Sequence, residues 1–298
     1  MQLRATVLLL ITAAIWGFAF VAQRVGMEYI GPYTFNGVRF ALGGLSLLPV
    51  IYFFSDRPPQ PHSGKSTKNS LPVGLLAGLI LFVAASLQQI GLIYTTAGKS
   101  AFITCLYIIL VPISGIFLKH RIRSSTWLGS VLAITGLYLL CVKEGFAISY
   151  GDFLELMGAF FWTAHILLID KYSRRVDVLK LAFFQFITCA VLSGGAALIL
   201  EPIALDGILL AAVPILYGGL GSVGVAYTLQ IVGQKYAPPS HAAILLSLET
   251  VFAAVGGYLI LDERLGPAEL AGCGLMMAGM LVSQLGQLNT PGNNAETT

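Results

Sequence analysis

Long apolar runs, separated by short polar joints, recur along the whole chain. Ten can be marked: about Ala5 to Val25, Pro32 to Phe54, Leu71 to Tyr94, Lys99 to Leu118, Thr126 to Val142, Phe153 to Ile169, Leu181 to Leu200, Ile208 to Gln234, Ser240 to Leu261 and Gly266 to Leu288. A helix that crosses a bilayer needs ~20 mostly apolar residues, so each run predicts one spanning helix. The joint SDRPPQPHSGKSTKNS is polar and rich in Pro and Ser, which places it outside the bilayer. The tail NTPGNNAETT has no apolar residue large enough to pack and is expected to be disordered. The start, MQLRATVLLLITAAIWGF, has some look of a signal peptide, but no small-residue cleavage site ends it and further runs follow. It is read as the first span.

The runs also repeat. An offset of 142 puts Pro72 on Pro214, Gln88 on Gln230, Gly91 on Gly233, Tyr94 on Tyr236, Ala101 on Ala243, Leu106 on Leu248 and Gly115 on Gly257. An offset of 146 puts Trp16 on Trp162 and Arg39 on Gln185, and one of 143 puts Gly129 on Gly272 and Gly136 on Gly279. Five runs per half is an odd number, so the second half must cross in the opposite sense. The expected architecture is an all-α polytopic membrane protein with ten transmembrane helices in two inverted five-helix repeats. These are residues 5–142 and 151–287, with 288–298 as a disordered cytoplasmic tail. A hydrophobic chain with such a repeat points to a transporter whose site lies between the halves.

Composition agrees. The chain is 56% hydrophobic and 10% charged, where a soluble domain carries about 25% charged residues. Most of the outer surface must therefore face lipid. Charge also sets orientation, since Lys and Arg favour the cytoplasmic side. With both termini inside, twelve basic residues fall inside (Arg4, Arg57, Lys65, Lys68, Lys119, Arg121, Arg123, Lys171, Arg174, Arg175, Lys180, Lys235) and four outside (Arg24, Lys99, Lys143, Arg264). The one dense basic cluster, KHRIR, has no aromatic interleaving of its own, which argues against nucleic acid as a partner. Cys105, Cys141, Cys189 and Cys273 lie inside apolar runs without a C-x-x-C and are read as small buried hydrophobes. Gly129 and Gly136, like Gly272 and Gly279, lie two turns apart, so each pair marks one helix face suited to close packing.

Several stretches resemble the EamA-type branch of the drug/metabolite transporter superfamily. They are AAIWGFAF, RFALGG, GKSAFITCLYIILVPISGIFL and HAAILLSLETVFAAVGGYLILDERL, followed by a glycine-patterned last span. The resemblance covers about residues 5 to 287. It implies a ten-helix inverted-repeat fold, a central cavity, and export or exchange of small metabolites. Two positions depart from the family's pattern: Glu249-Thr250 stands where many members carry Glu-Pro, and Lys119-His120-Arg121 where many carry Gly-Glu-Arg.

Polar side chains inside lipid are expensive, and each needs an account. Glu249 lies about ten residues into the ninth run, about 15 Å deep and near the midplane. It is read as a proton-coupling or substrate-amine site, or else as a protonated acid bridging helices. Tyr107 is its mate in the first half. Arg39 lies about seven residues into the second run, roughly 10 Å deep. It is read as a substrate-carboxylate ligand, a gate lock paired with an acid, or a side chain snorkelling to the headgroups. Asn36, Arg39, Gly43 and Ser46 form one helical stripe that should face protein or water. Trp16 and Trp162 are mates that either wall a cavity or serve as bulky core, and Gln88 and Gln230 are mates that either bond substrate or bridge helices. His165, Gln185 and Tyr227 complete the candidate cavity set. Lys99 and His241, mates at the starts of their runs, are read as loop caps. The glycines of GGLGSVG (218–224) sit inside a run and are read as helix packing, not as a nucleotide loop.

No P-loop, nucleophile elbow or metal-spaced His and acid set is found, so no cofactor or metal is expected. The leading expectation is a secondary transporter in a bacterial-type inner membrane, an exporter or exchanger of small metabolites such as amino acids. Alternating access, possible proton coupling through Glu249 and a homodimer through the peripheral helices go with it. A polytopic enzyme acting on a lipid-like substrate and a passive channel stand as alternatives.

Overall fold

The computed structural model describes residues 2–54, 69–94, 97–117, 124–141, 149–260 and 266–288, and every regular element among them is helical. In order these are α1 (Gln2–Gly26), α2 (Pro32–Phe54), α3 (Ser70–Tyr94), α4 (Ala97–Thr104), α5 (Tyr107–Phe117), α6 (Ser124–Cys141), α7 (Tyr150–Tyr172) and α8 (Val178–Leu200). There follow α9 (Leu205–Leu210), α10 (Ala212–Leu216), a π-helical segment (Tyr217–Tyr227), α11 (Thr228–Gln234), α12 (Pro239–Leu246), α13 (Glu249–Ile260) and α14 (Pro267–Leu288). The joint 55–68, the KHRIR cluster and the tail from 289 onward lie outside the described residues.

The molecule is a polytopic membrane protein by its own surface. Seven described segments are long and apolar enough to span: Leu3–Gly26, Pro32–Phe53, Ser70–Tyr94, Tyr150–Tyr172, Val178–Leu200, Ala212–Gln234 and Pro239–Ile260. Large apolar side chains such as Phe53, Phe117, Val191, Leu198 and Ile199 are exposed, while Gln89, Gln185, Glu155 and His165 are fully buried. In water that distribution would be an aggregation surface; in hydrocarbon it satisfies both partners.

Two runs expected as single helices are each broken in the middle. The fourth divides at Cys105–Leu106 into α4 and α5, and the ninth at Ser247–Leu248 into α12 and α13. Both breaks are tight turns with the same bonding. Leu106 N donates to Ile103 O at 3.1 Å and Ile108 N to Cys105 O at 3.0 Å. Leu248 N donates to Leu245 O at 3.3 Å and Thr250 N to Ser247 O at 3.1 Å. Each pair of bonds is the other shifted by 142 residues. Such i→i+3 turns keep backbone groups bonded while redirecting the chain, which lipid requires. Pro112, inside α5, cannot donate back to Ile108 and loosens the first break. The two breaks touch each other: Cys105 Sγ lies 3.8 Å from Ser247 O.

The eighth run also departs from the plain helix expected of it. Leu205–Leu210 is a separate short helix, and the glycine-rich stretch is a π-helix. Three side chains tie α1 to this region. Tyr217 Oη donates to Ile15 O at 2.9 Å, Trp16 Nε1 to Ser222 O at 3.3 Å, and Thr12 Oγ1 to Ala226 O at 3.2 Å. The glycines are packing positions, as expected: a Cβ on Gly219 would fall 2.7 Å from Leu42 Cδ2 of α2.

Helix pairing follows a pattern. α2 packs on α8 and α6 on α14; α3 packs on α7 and α8, while the π segment packs on α1 and α2; α1 packs on α12 and α13, while α7 packs on α4 and α5. The α6–α14 seam uses the glycine pairs, crossed: a Cβ on Gly129 would meet Gly279 O at 2.7 Å, and one on Gly136 would meet Gly272 O at 2.4 Å. The glycine faces therefore meet within one chain. At the end of α8, Glu201 accepts from Tyr33 N at 2.7 Å, Thr34 N at 2.8 Å and Thr34 Oγ1 at 2.6 Å. A carboxylate there takes two of the first-turn amides of α2 and opposes its positive dipole end.

Candidate functional site

Helices from both halves of the chain line a narrow central cleft. Trp16, Ala19, Phe20 and Gln23 reach it from α1, Arg39 from α2, and Gln88 from α3. Thr104 and Tyr107 come from α4 and α5, Trp162 and Ile166 from α7, Ser222 and Tyr227 from the π segment, Gln230 from α11, Leu246 from α12 and Glu249 from α13.

One wall is aromatic. Tyr227 sits between the two tryptophans, its ring centroid 4.6 Å from Trp16 and 6.2 Å from Trp162, with the second pair nearly parallel at 22°. The wall is anchored at Trp16, whose indole donates to Ser222 O. Such rings present flat apolar area with little rotamer entropy to lose on contact with a solute.

Charge of both signs faces the same space. Arg39 is almost wholly buried, so snorkelling is excluded. Its guanidinium carbon lies 5.3 Å from the Phe35 ring centroid and 5.1 Å from that of Phe40, and its Nε has no hydrogen-bond partner among the described residues. Both rings lie within cation–π reach of the guanidinium. Glu249, at the first turn of α13, takes the Tyr107 hydroxyl on Oε1 at 2.9 Å and the Cys105 thiol at 3.5 Å. Cys105 Sγ also lies 3.0 Å from Thr250 Oγ1, so the thiol is a hydrogen-bonded member of the break and not only a space-filler.

Among the described residues, four polar atoms on the wall have no hydrogen-bond partner: Gln23 Oε1, Arg39 Nε, Trp162 Nε1 and Gln230 Oε1. Buried groups of this kind are met by water or by a solute. The lining therefore offers unpartnered polar atoms, groups of both charge signs and a flat aromatic face to whatever enters it.

Eight of the residues singled out from sequence line the hollow: Trp16, Arg39, Gln88, Tyr107, Trp162, Tyr227, Gln230 and Glu249. Three do not. Asn36 donates to Ala85 O at 3.2 Å, between α2 and α3. His165 and Gln185 bond each other at 3.1 Å between Nε2 and Oε1, behind the wall. His241 Nδ1 lies 3.2 Å from Ser283 Oγ of α14, a helix-to-helix contact; the Lys99 side chain is outside the described residues.

Sequence reading passed over Gln23, Thr104, Ser222 and, behind the wall, Glu155. Gln23 lies seven residues after Trp16, on the same helical stripe, and could have been found by that spacing. Glu155 belongs to no stripe and sits close to the start of its run.

The EamA-like transporter family matches residues 3–142 and again 149–284. An uncharacterized transporter of Archaeoglobus fulgidus is 31% identical over 285 residues, covering 95% of this chain and 87% of that one. A probable amino-acid metabolite efflux pump of Escherichia coli K12 is 24% identical over 295 residues, covering 94% of each. A solved crystal structure superposes with a TM-score of 0.80 at 18% identity, covering 97% of this chain and all of the other, and so shares the fold.

Proposed function

The chain belongs to the EamA-like transporter family and is a multi-pass membrane transporter; from that premise we propose that it carries small zwitterionic metabolites, such as amino acids or related solutes, through its central hollow. The observation that carries this reading is that Arg39 and Glu249 line the same space as the Trp16–Tyr227–Trp162 face. A solute's carboxylate would meet the guanidinium, its ammonium the Glu249 carboxyl, and its side chain the rings. The amides of Gln23, Gln88 and Gln230 would take the remaining polar edges.

In this reading the protein is two inverted five-helix repeats, residues 5–142 and 151–287, with both termini cytoplasmic in an inner membrane. The meeting of positional mates supports it. Tyr107 bonds Glu249, Trp16 and Trp162 flank one ring, Gln88 and Gln230 both line the hollow, and the two breaks share one bonding pattern. The main helix pairings are also the same when the halves are exchanged. Access alternates as α3–α5 and α10–α13 rock, opening one end while the other stays shut. Export or exchange is the expected direction. Glu249 is the coupling group: it binds a proton when no solute ammonium faces it. A homodimer through the peripheral helices would use outward residues such as Leu128, Val131, Leu270 and Met277, since the glycine faces already meet within the chain.

Counterflow tests the reading. Purified protein is melted against a metabolite panel to find stabilising solutes, and a hit is preloaded into proteoliposomes. Accelerated uptake of the labelled solute is expected. Uptake indifferent to preloading would favour a passive pore and overturn the carrier.

A further inference from the structure

Glu155 is a second intramembrane carboxyl, and the hollow does not account for it. It lies five residues into α7, about 8 Å along the helix, and none of its surface is accessible. Ser100 and Thr104, one turn apart on α4, both donate to it: Ser100 Oγ to Oε1 at 2.5 Å and Thr104 Oγ1 to Oε2 at 3.0 Å. On the α3 side a Cβ at Gly91 would lie 2.7 Å from Oε1, so glycine there is what leaves room for the carboxyl. Thr104 also lines the hollow and accepts from Gln88 Nε2 at 3.2 Å. One hydroxyl thus separates Glu155 from the transport space.

The titratable and charged groups on the elements packed around it have their own places. Asp152, one turn earlier on α7, takes Ser149 N at 2.7 Å in a capping box. α3 contributes the amides of Gln88 and Gln89 and, at its end, Tyr94, which packs on Tyr150. Tyr107 of α5 is committed to Glu249, and His241 of α12 to Ser283. Lys99 of α4 adjoins Ser100 in sequence, its side chain outside the described residues.

A carboxyl closed off from bulk water, with two hydroxyls aimed at it, has the oxygen set that takes a small monovalent cation. A proton would bond one carboxyl oxygen; a sodium ion would sit among the carboxyl and the hydroxyl oxygens. We infer that Glu155, Ser100 and Thr104 form a binding site for a monovalent cation, proton or sodium, distinct from the Glu249 centre. The site closes the α4–α7 contact, and α4 ends at the break that moves in the proposed cycle. With the cation gone, the carboxylate holds both hydroxyls and draws α4 onto α7. With the cation bound, that charge is neutralised and α4 is freer to leave. The coupling role rests on the transporter reading; occupancy by a cation does not.

The test uses purified full-length protein in detergent. Thermal unfolding is followed at fixed pH in sodium chloride against choline chloride at equal ionic strength, and infrared difference spectra on acidification record protonated carboxyl bands. Wild type, Glu155→Gln, Thr104→Val and Glu249→Gln are compared. If the ion is sodium, sodium chloride raises the melting temperature of wild type and Glu249→Gln in a saturable way. That response is absent in Glu155→Gln and ~10-fold weaker in affinity in Thr104→Val. If it is the proton, the two salts act alike, and one carboxyl band disappears in Glu155→Gln while remaining in Glu249→Gln. A sodium response and a band set that Glu155→Gln leaves unchanged, or a wild type with neither, overturns the site and leaves Glu155 a structural bridge. Should Glu155→Gln fail to fold, Thr104→Val decides, and wild-type behaviour there overturns the site. Failure of the transporter reading would appear separately, as absent counterflow with these responses intact.

Discussion

Tyr107 and Glu249 stand 142 residues apart in the chain and 2.9 Å apart in the fold, the hydroxyl of one donating to Oε1 of the other. They are positional mates in the two halves, so the bond sits where the halves meet. Each lies just after a helix break, and the breaks themselves are in contact through Cys105 and Ser247. Tyr107→Phe removes this donor and leaves the Cys105 thiol as a weak one. A buried acceptor left short of a partner costs ~1–3 kcal/mol. A lower melting temperature with unchanged helical circular dichroism is the expected result.

Glu249→Gln keeps the shape and the Tyr107 contact but cannot carry a proton. In proteoliposomes, uptake driven by a proton gradient should fall to the level of the ungraded control while counterflow persists. Coupling that survives the substitution would remove Glu249 from that role.

The Arg39 guanidinium lies over the rings of Phe35 and Phe40, and its planar fork can meet a carboxylate with two hydrogen bonds where an ammonium meets it as a point charge. Arg39→Lys should weaken binding of a carboxylate-bearing solute ~10-fold or more, since a bidentate contact becomes a point contact. Binding of the same solute with its carboxylate esterified should change little. Titration of wild type and variant with both forms measures the difference.

Gly136→Val places side-chain atoms where Gly272 O already lies, 2.4 Å from the position of a first Cβ. Overpacking of this kind costs ~1–3 kcal/mol. Ala at Gly274, where nothing lies within 4 Å, is the matched control and should melt like wild type.

Glu201→Ala removes the acceptor for two amides and a hydroxyl at the start of α2. Loss of a helix cap costs about 1 kcal/mol. Hydrogen exchange should rise in the first turn of α2 and not at its far end.

Much of this was legible from the chain alone because lipid is a severe solvent. Apolar runs of spanning length cannot hide, and Gly129, Gly136, Gly272 and Gly279 could be assigned a packing face from spacing before their partner helix was known. The fixed offset already placed Tyr107 opposite Glu249. The breaks at Cys105 and Ser247 were not legible, since no proline or glycine stands at either and their contact joins residues 142 apart in the chain. Glu155 was passed over for a related reason. Its partners, Ser100 and Thr104, lie 55 and 51 residues away on another helix, and no local pattern announces them. Asn36, His165 and Gln185 have the composition of a binding wall, and only their pairing in space shows that they stand behind it.

At the seam between α6 and α14 the two glycine pairs bring backbone against backbone, Gly129 to Gly279 O and Gly136 to Gly272 O. In the proposed cycle such a joint would serve as the spine of a book whose covers are the remaining helices. A disulfide stitched across this spine should leave turnover intact, whereas one joining the free edges would arrest it.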